Sequence, residues 1–563
     1  MNRTIYCIIK RSLVLTLGMS LLVSCKKMFD IKPEDALESK QMYRNVYDAD
    51  AAVLGIYGKF AGLAERYVLL NELRGDLLDV TSNADTYLKQ LSTHEVAEDN
   101  PYADPRPFYE VIINCNDALK NFDIMRKENR LDNTQYYQRY TEVGLLRCWL
   151  YLQLGIHYGS VPYVTDPIEN VNDLKDESKF PKLTFEQLLD KLIAFTDAIP
   201  PVYLNQNTSA ASPTLIMPMN NYPVKDGVFK FFIHRRSLLG DLHLWKGNYL
   251  KAAEYYKAVM ETGTTLTSSA DQNVEIYDTY RVSNDNSGRN TLLTIGTVNP
   301  WSAIFSNDLA EKESNFERMW ILPLDKDFAP GNPFIKLFSL SGNYLVKPSE
   351  LAIEKWQDQV RLDGGLTDRR GQNASYRMVG GQPEVLKYLK KFDPLSPFET
   401  TGTWLLYRAG VLHLRFAEAA NRAGYSDIAG ILINDGFALL GNTYAEYPAP
   451  FDFNAHKGTV NGQWYRNIGI RGRAVNQNVS FDAANLEIDT ENKILEEEAL
   501  ETAFEGYRWP DLLRVALRRE ASDPNFLADK IAAKFDAAGS PDAGEVRTRL
   551  SSKANWYLPF KWK

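Results

Sequence analysis

The chain has 563 residues, 44% of them hydrophobic and 24% charged, the balance of a globular protein and not of a disordered or collagen-like one. Its 72 acidic against 64 basic residues leave a net charge of −8, the opposite sign from a general nucleic-acid binder, so no nucleic acid is expected among its partners. Tyrosine outnumbers phenylalanine, 31 to 26, which points to aromatic surface that stays partly wet.

Met1 to Arg11 carries Arg3, Lys10 and Arg11 without an acid, and Ser12 to Val23 is an apolar run, the two parts of a secretory signal too short to span a bilayer. The run ends in Leu22-Val23-Ser24-Cys25, small residues followed directly by cysteine, which resembles a bacterial lipobox. Residues 1–24 are then the signal peptide, and Cys25 is the acylated first residue of a mature chain that is membrane-tethered but otherwise soluble. An ordinary signal peptide with a chance cysteine is the alternative. Cys115 and Cys148 remain in the mature chain, where an exported compartment permits a disulfide and their helical patterns permit two buried free thiols. No CxxC pair supports a zinc site.

Beyond a short tether with Pro33, Tyr47 to Leu63 and Phe108 to Phe122 carry helical spacing. From Glu142 to Tyr158, Val143, Leu146, Leu150 and Leu154 form one helical stripe, which Gly159 and Pro162 stop. His234 to Gly247 followed by Tyr249, Ala252, Ala253 and Tyr256 reads as two helices joined by a small-residue turn, and Leu405 to Gly424 followed by Tyr425, Ala429 and Leu432 reads likewise. Tetratricopeptide units use that arrangement, because small residues let antiparallel helices approach closely. A mostly α fold follows, with tetratricopeptide-like helix pairs, long loops and a few short strands. The loop-rich stretches run over 205–228, 265–299, 325–349 and 436–469, too long for structureless linkers inside a compact protein.

Among catalytic patterns, GxSxG, HExxH, GxxxxGK[ST] and a GxGxxG after a strand are all missing, and the six histidines are scattered without metal-pair spacing. No cofactor and no metal are expected. Glu505, Arg508, Asp511 and Arg514 recur at steps of three, one face of a helix if it runs through Trp509-Pro510, and their alternating signs point to a structural ion-pair network. Paired carboxylates for glycoside hydrolysis stay open, since sequence does not show which acids face each other.

Several segments together resemble the SusD/RagB family of Bacteroidetes outer-membrane nutrient-binding lipoproteins. They are Phe29 to Pro33 after the anchor, Tyr109 to Leu119 (YEVIINCNDAL), Glu142 to Thr165 with its aromatic helix and Gly-x-x-Pro turn, Leu412 to Gly424 (LHLRFAEAANRAG), Phe504 to Arg514 (FEGYRWPDLLR) and Tyr557-Leu558-Pro559. The resemblance covers nearly the whole mature chain, divided into an N-terminal helical-repeat part over 25–265 and a C-terminal part over 266–563. It implies a non-enzymatic binding protein at the cell surface, lipid-anchored to the outer membrane, that delivers a nutrient, usually an oligosaccharide, to a TonB-dependent SusC-like barrel. Under it Glu142, Arg147, Glu418, Asn421, Glu505, Arg508 and Asp511 are fold determinants. The aromatic-rich stretch after Asn434 looks like an insertion that sets specificity. On physical grounds Trp301, Trp320, Tyr344 and Trp464 are the expected stacking platforms for sugar faces, with Arg74 and Asp76 as polar partners. A lipid-anchored glycoside hydrolase and a scaffold without a small ligand are the rival readings.

Overall fold

The computed structural model describes residues 42–168, 171–176, 178–199, 231–260, 301, 304–305, 317–326, 331–361, 364–436, 447–452, 469–475 and 477–561. Cys25, Trp464 and the expected loops 205–228 and 265–299 lie outside the described residues, as does most of 436–469.

The side chain of Asn45 accepts the N–H groups of Tyr47 and Asp48 and starts α1 (Val46–Ala61). A short α2 (Ala64–Val68) runs into a π-helical turn, Leu69–Leu73, and then β1 (Leu78–Val80) and α3 (Thr86–Thr93). The long pair α4 (Arg106–Lys127) and α5 (Asn133–Tyr158) pack on each other and on α1. Asp132 and Gln135 form a reciprocal capping box at the start of α5, and Gly159 ends it as the sequence predicts. The order continues with β2 (Ser160–Pro162), β3 (Lys182–Thr184), α6 (Phe185–Ala198), α7 (Arg235–Lys246) and α8 (Tyr249–Met260). Next come β4 (Arg318–Leu324), α9 (Pro333–Phe338), β5 (Val346–Pro348), α10 (Glu350–Gln357) and the hairpin of β6 (Tyr376–Val379) with β7 (Gln382–Val385). The C-terminal part holds β8 (Gly402–Arg408), α11 (Ala409–Arg422), α12 (Ser426–Ile433), α13 (Ile470–Ala474), α14 (Leu486–Glu501), α15 (Arg508–Arg519), α16 (Phe526–Ala537) and α17 (Ala543–Leu550). Among the described residues no helix is long and apolar enough to cross a membrane.

Both expected helix pairs form: α7 packs on α8, and α11 packs on α12. The start of the second pair needs correction. Leu405 to Arg408 is the end of strand β8, antiparallel to β4 with Leu405 opposite Ile321, and the helix begins only at Ala409. The apolar run Trp404 to Tyr407 is compatible with a buried helix or a buried strand, and the partner strand, distant in sequence, decides it. The stretch 325–349, read as loop, contributes α9 and strand β5, which pairs with β1. One buried core extends from Tyr43 to Leu558 and takes side chains from both expected parts of the chain.

Cys115 and Cys148 are buried free thiols. Burial pushes Cys115 up to about 12 and Cys148 up to about 11, despite the opposing charge of Arg147. Neither side chain should react with iodoacetamide at pH 8 in the native protein, and both should be modified once it is unfolded, as intact-mass measurement would show. In the α7–α8 pair a Cβ added at Gly240 would overlap the buried Tyr256 ring, whose hydroxyl donates to Asp241 Oδ1 at 2.7 Å. Gly240→Ala should therefore destabilise the protein by about 1–3 kcal/mol, measured by denaturant unfolding.

Candidate functional site

The segment from Glu72 to Asp76 meets the segment from Glu501 to Arg514 in the middle of the molecule. Gly506, at φ +94°, turns the chain where any Cβ would strike the Tyr67 ring. Phe504 also has positive φ, +73°, and is held there because its N–H donates to Glu72 Oε2 at 3.0 Å and its carbonyl accepts the Tyr388 hydroxyl at 2.8 Å. The other carboxylate oxygen, Glu72 Oε1, accepts the N–H groups of Gly506 at 2.7 Å, Tyr507 at 2.9 Å and Arg508 at 3.3 Å. Burial raises this carboxyl to about 7 against the pull of those donors. The Arg508 guanidinium then grips both oxygens of Asp76, at 2.5 and 2.8 Å. Helix α15 starts at Arg508, so Glu505 precedes it and does not share its face, contrary to the continuous helix considered from the sequence. Pro510 falls in the first turn, where its missing N–H costs nothing.

Glu505 belongs to a second buried cluster. It accepts from Lys387 Nζ at 2.6 Å and Arg408 Nε at 2.7 Å, and Arg408 also reaches Glu317 at 2.9 Å and Glu501 at 2.8 Å. Arg473 pairs with Glu317 and Glu501, Arg370 with Asp368, Glu497 and Glu501, and Arg471 with Glu497. Five bases thus face five acids out of water. Glu418 is the centre of a third group, with Arg514 and Arg518, and Asp511 lies 2.9 Å from Arg514. Burial alone would raise the Glu418 carboxyl, but Arg514 and Arg518 outweigh it and hold it well below the usual carboxylate range.

The remaining signature residues have local partners. Arg147 donates to Asn116 Oδ1 at 2.8 Å and lies over the Phe195 ring, and Asn421 donates to the Glu487 carbonyl at 2.9 Å. Glu142 places its carbonyl as acceptor for the Tyr57 hydroxyl at 3.2 Å, while burial pushes its carboxyl well above the ordinary value.

The expected ligand residues that can be placed face inward. Trp320 is 1% exposed, stacked on Phe60 and edge-on to Trp149, with Nε1 donating to the Phe231 carbonyl at 3.1 Å. Trp301 is fully buried beneath the guanidinium groups of Arg408 and Arg473. Tyr344 is buried, its hydroxyl donating to the Pro383 carbonyl at 2.9 Å. Arg74 lies 3.9 Å over the Trp509 ring and donates to the Trp556 carbonyl at 2.7 Å, and Asp76 is held by Arg508. In this arrangement these five side chains are taken by the protein itself and offer no face to a sugar, which corrects their expected role. Being aromatic or charged in a loop-like stretch does not distinguish an inward ring from an outward one. A cavity of about 10 Å³ bordered by Phe305, Lys387, Tyr388 and Glu505 is far smaller than the roughly 300 Å³ of a small-ligand pocket.

What the sequence reading missed is a different exposed surface: Leu395 and Phe398, on the loop before β8, are 91% and 88% exposed. The signal for it was the pair Pro394 and Pro397, one directly before each of them, in Asp393-Pro394-Leu395-Ser396-Pro397-Phe398-Glu399.

The architecture can be compared with solved structures. A SusD superfamily protein from Bacteroides thetaiotaomicron superposes with a TM-score of 0.59 at 17% identity, covering 92% of this chain and 96% of that one. The chain has the SusD fold. Surface glycan-binding protein A from Bacteroides uniformis matches at 0.54 and 16% identity, over 91% of this chain and 95% of that one. A laminarin binding SusD-like protein matches at 0.54 and 15% identity, over 92% and 96%. No family model and no curated protein matches the sequence itself.

Removing one partner of the Asp76–Arg508 pair leaves a buried guanidinium uncompensated, so Asp76→Ala should cost about 3–5 kcal/mol in denaturant unfolding. For Glu418, whose carboxyl is depressed on folding, the contribution is fully present above the ordinary value of 4.5 and lost as pH falls below it. Glu418→Gln should accordingly reduce stability at pH 7 and flatten its decline between pH 5 and pH 3.

Proposed function

We propose that this chain is a surface nutrient-binding lipoprotein of the outer membrane that captures a carbohydrate and delivers it to a TonB-dependent, SusC-like barrel. The observation that carries the reading is the whole-chain likeness to two proteins described as glycan-binding and laminarin-binding, each covered over at least 95% of its length. The lipobox-like Leu22 to Cys25 supports anchoring through an acylated Cys25. A binding role agrees with the buried carboxylates of Glu317, Glu418, Glu497, Glu501 and Glu505, which are engaged by guanidinium and ammonium groups. A tethered binder beside a pore raises the local ligand concentration there, which favours delivery over release. Trp464, in the aromatic-rich insertion, remains a proposed ligand contact.

Affinity-tagged full-length protein, extracted from native outer membranes in mild detergent, should co-purify a TonB-dependent barrel in near-stoichiometric amount. Recovery of the lipoprotein alone would reject the delivery reading. Cys25→Ser should move the protein from the membrane fraction to the soluble one, and an unchanged distribution would reject the anchor.

A further inference from the structure

The last turn of α5 carries a histidine whose two ring nitrogens have fixed roles. His157 is fully buried, and its Nδ1 lies 3.2 Å from Arg74 Nη1. A guanidinium only donates, so Nδ1 holds the lone pair and the proton of the neutral ring sits on Nε2, which has no hydrogen-bond partner among the described residues. Arg74 Nη2 donates in turn to the Trp556 carbonyl at 2.7 Å, and the Leu558 N–H donates to the His157 carbonyl at 2.8 Å. Residues 557–561 therefore form a strap over the end of α5, tied at its start by Arg74 and His157. Farther along, the Tyr557 ring lies against Gly159, and Phe560 stands edge-on to Tyr109 and Tyr158 with the Lys182 ammonium over its ring. The exposed Lys561 pairs with Glu98.

The charges that act on His157 are both positive: Arg74 from the π-helical turn and Arg66 from α2. Neither guanidinium is paired with a carboxylate among the described residues, for Arg66 donates to the carbonyls of Tyr102 and Asp104, and Arg74 donates to His157 and Trp556 and rests on the Trp509 ring. Around Arg74 stand the hydroxyls of Tyr158 and Tyr557, with Asp104 acting on Tyr158, while His94 and Lys534 bond the backbone carbonyls of Arg74 and its neighbours. A second proton on His157 has only Nδ1 to occupy, where it would point at the Arg74 N–H and add a third positive charge. Burial and the two guanidiniums hold the ring well below the ordinary imidazole value, so it is neutral while enclosed. A charged ring needs water, and the strap is the cover that can lift without moving a helix, since it is terminal. Exposing the ring from the side of the π-helical turn would break the Glu72 seam. We propose that His157 and Arg74 form an acid-sensitive latch: a proton on Nδ1 parts His157 from Arg74 and frees residues 557–561, while the helical body stays closed. Once open, the ring takes its ordinary value of 6.5. Closure is therefore fully favoured above that value and weakens about tenfold for each pH unit below it.

The test is hydrogen–deuterium exchange of the full-length protein in mild detergent, read by mass spectrometry at about pH 7.5 and about pH 4.5 and corrected for the pH dependence of intrinsic exchange, with the wild type beside His157→Asn. The Asn Oδ1 accepts from Arg74 where Nδ1 does and takes up no proton. The expected result is that protection over 557–561, the Leu558 amide included, falls about a hundredfold in the wild type across that interval and holds in His157→Asn, while α4, α11 and α15 stay protected in both. The exposed Lys561–Glu98 pair weakens with acid in both proteins and cancels from the comparison. Unchanged protection in the wild type, equal loss in both proteins, or a loss spread evenly over the helices would each overturn the latch. If His157→Asn does not fold, the pH course of the wild type decides: a progressive loss beginning near pH 6.5 supports the latch, and a loss confined to the carboxylate range below about pH 5 overturns it.

Discussion

The structure hangs on a carboxylate, Glu72, that accepts the backbone N–H groups of four residues more than 430 positions away in the chain. Those N–H groups belong to the turn before helix α15 and to its first residue, donors that a helix leaves unsatisfied at its N-terminus. Asp76 and Arg508 close the same seam four residues on, and Lys534 of α16 donates to the carbonyls of Leu73, Gly75 and Leu78 from the other side. An irregular segment near the start of the described chain thus takes many of its partners from groups near its end, with Ser349 and His94 bonding the carbonyls of Asp76, Leu77 and Arg74. Burying that much backbone polarity without partners would be prohibitive, so the two ends must meet for either to be stable.

The neighbouring cluster of five acids and five bases follows the same logic. Buried ion pairs contribute little net stability compared with apolar packing, because desolvation consumes most of the Coulomb gain. They do penalise any misregistered arrangement, since each displaced partner leaves a naked charge. Arg408 illustrates this: one guanidinium is engaged by Glu317, Glu501 and Glu505, which come from two widely separated parts of the chain. Trp301 and Phe305 cover that guanidinium with aromatic faces, which explains why Trp301 is interior. A body specified in this way tolerates wide variation in its surface loops, in keeping with a shared fold at 13–17% identity across the solved structures.

The helices of the body were legible because their apolar positions recur at the helical period over many residues. The stripe Val143, Leu146, Leu150 and Leu154 lies buried along α5, and Gly159 terminates it. Leu405 to Arg408 was misread because four consecutive residues carry too little periodicity to separate a strand from a buried helix. Trp320 and Phe398 show the corresponding limit for the site. Both are aromatic residues in stretches rich in loop signals, yet one is sandwiched by Phe60 and Trp149 while the other stands in solvent. Which outcome applies depends on whether other segments arrive to cover the ring.

By itself the sequence determined the export signal and lipidation motif as expectations, the mostly helical class, the paired-helix grammar around Gly247 and Gly424, and the recurrence of charges from Glu505 to Arg514. These are local or periodic properties, set by residue type at short separation. Only the tertiary structure decided that Arg74 and Asp76 belong to the interior, that Glu505 precedes α15 instead of riding on it, and that Leu395 and Phe398 are left outside. Those are questions of which distant groups satisfy a buried charge or cover an apolar face. Their answer lies in contacts between residues hundreds of positions apart.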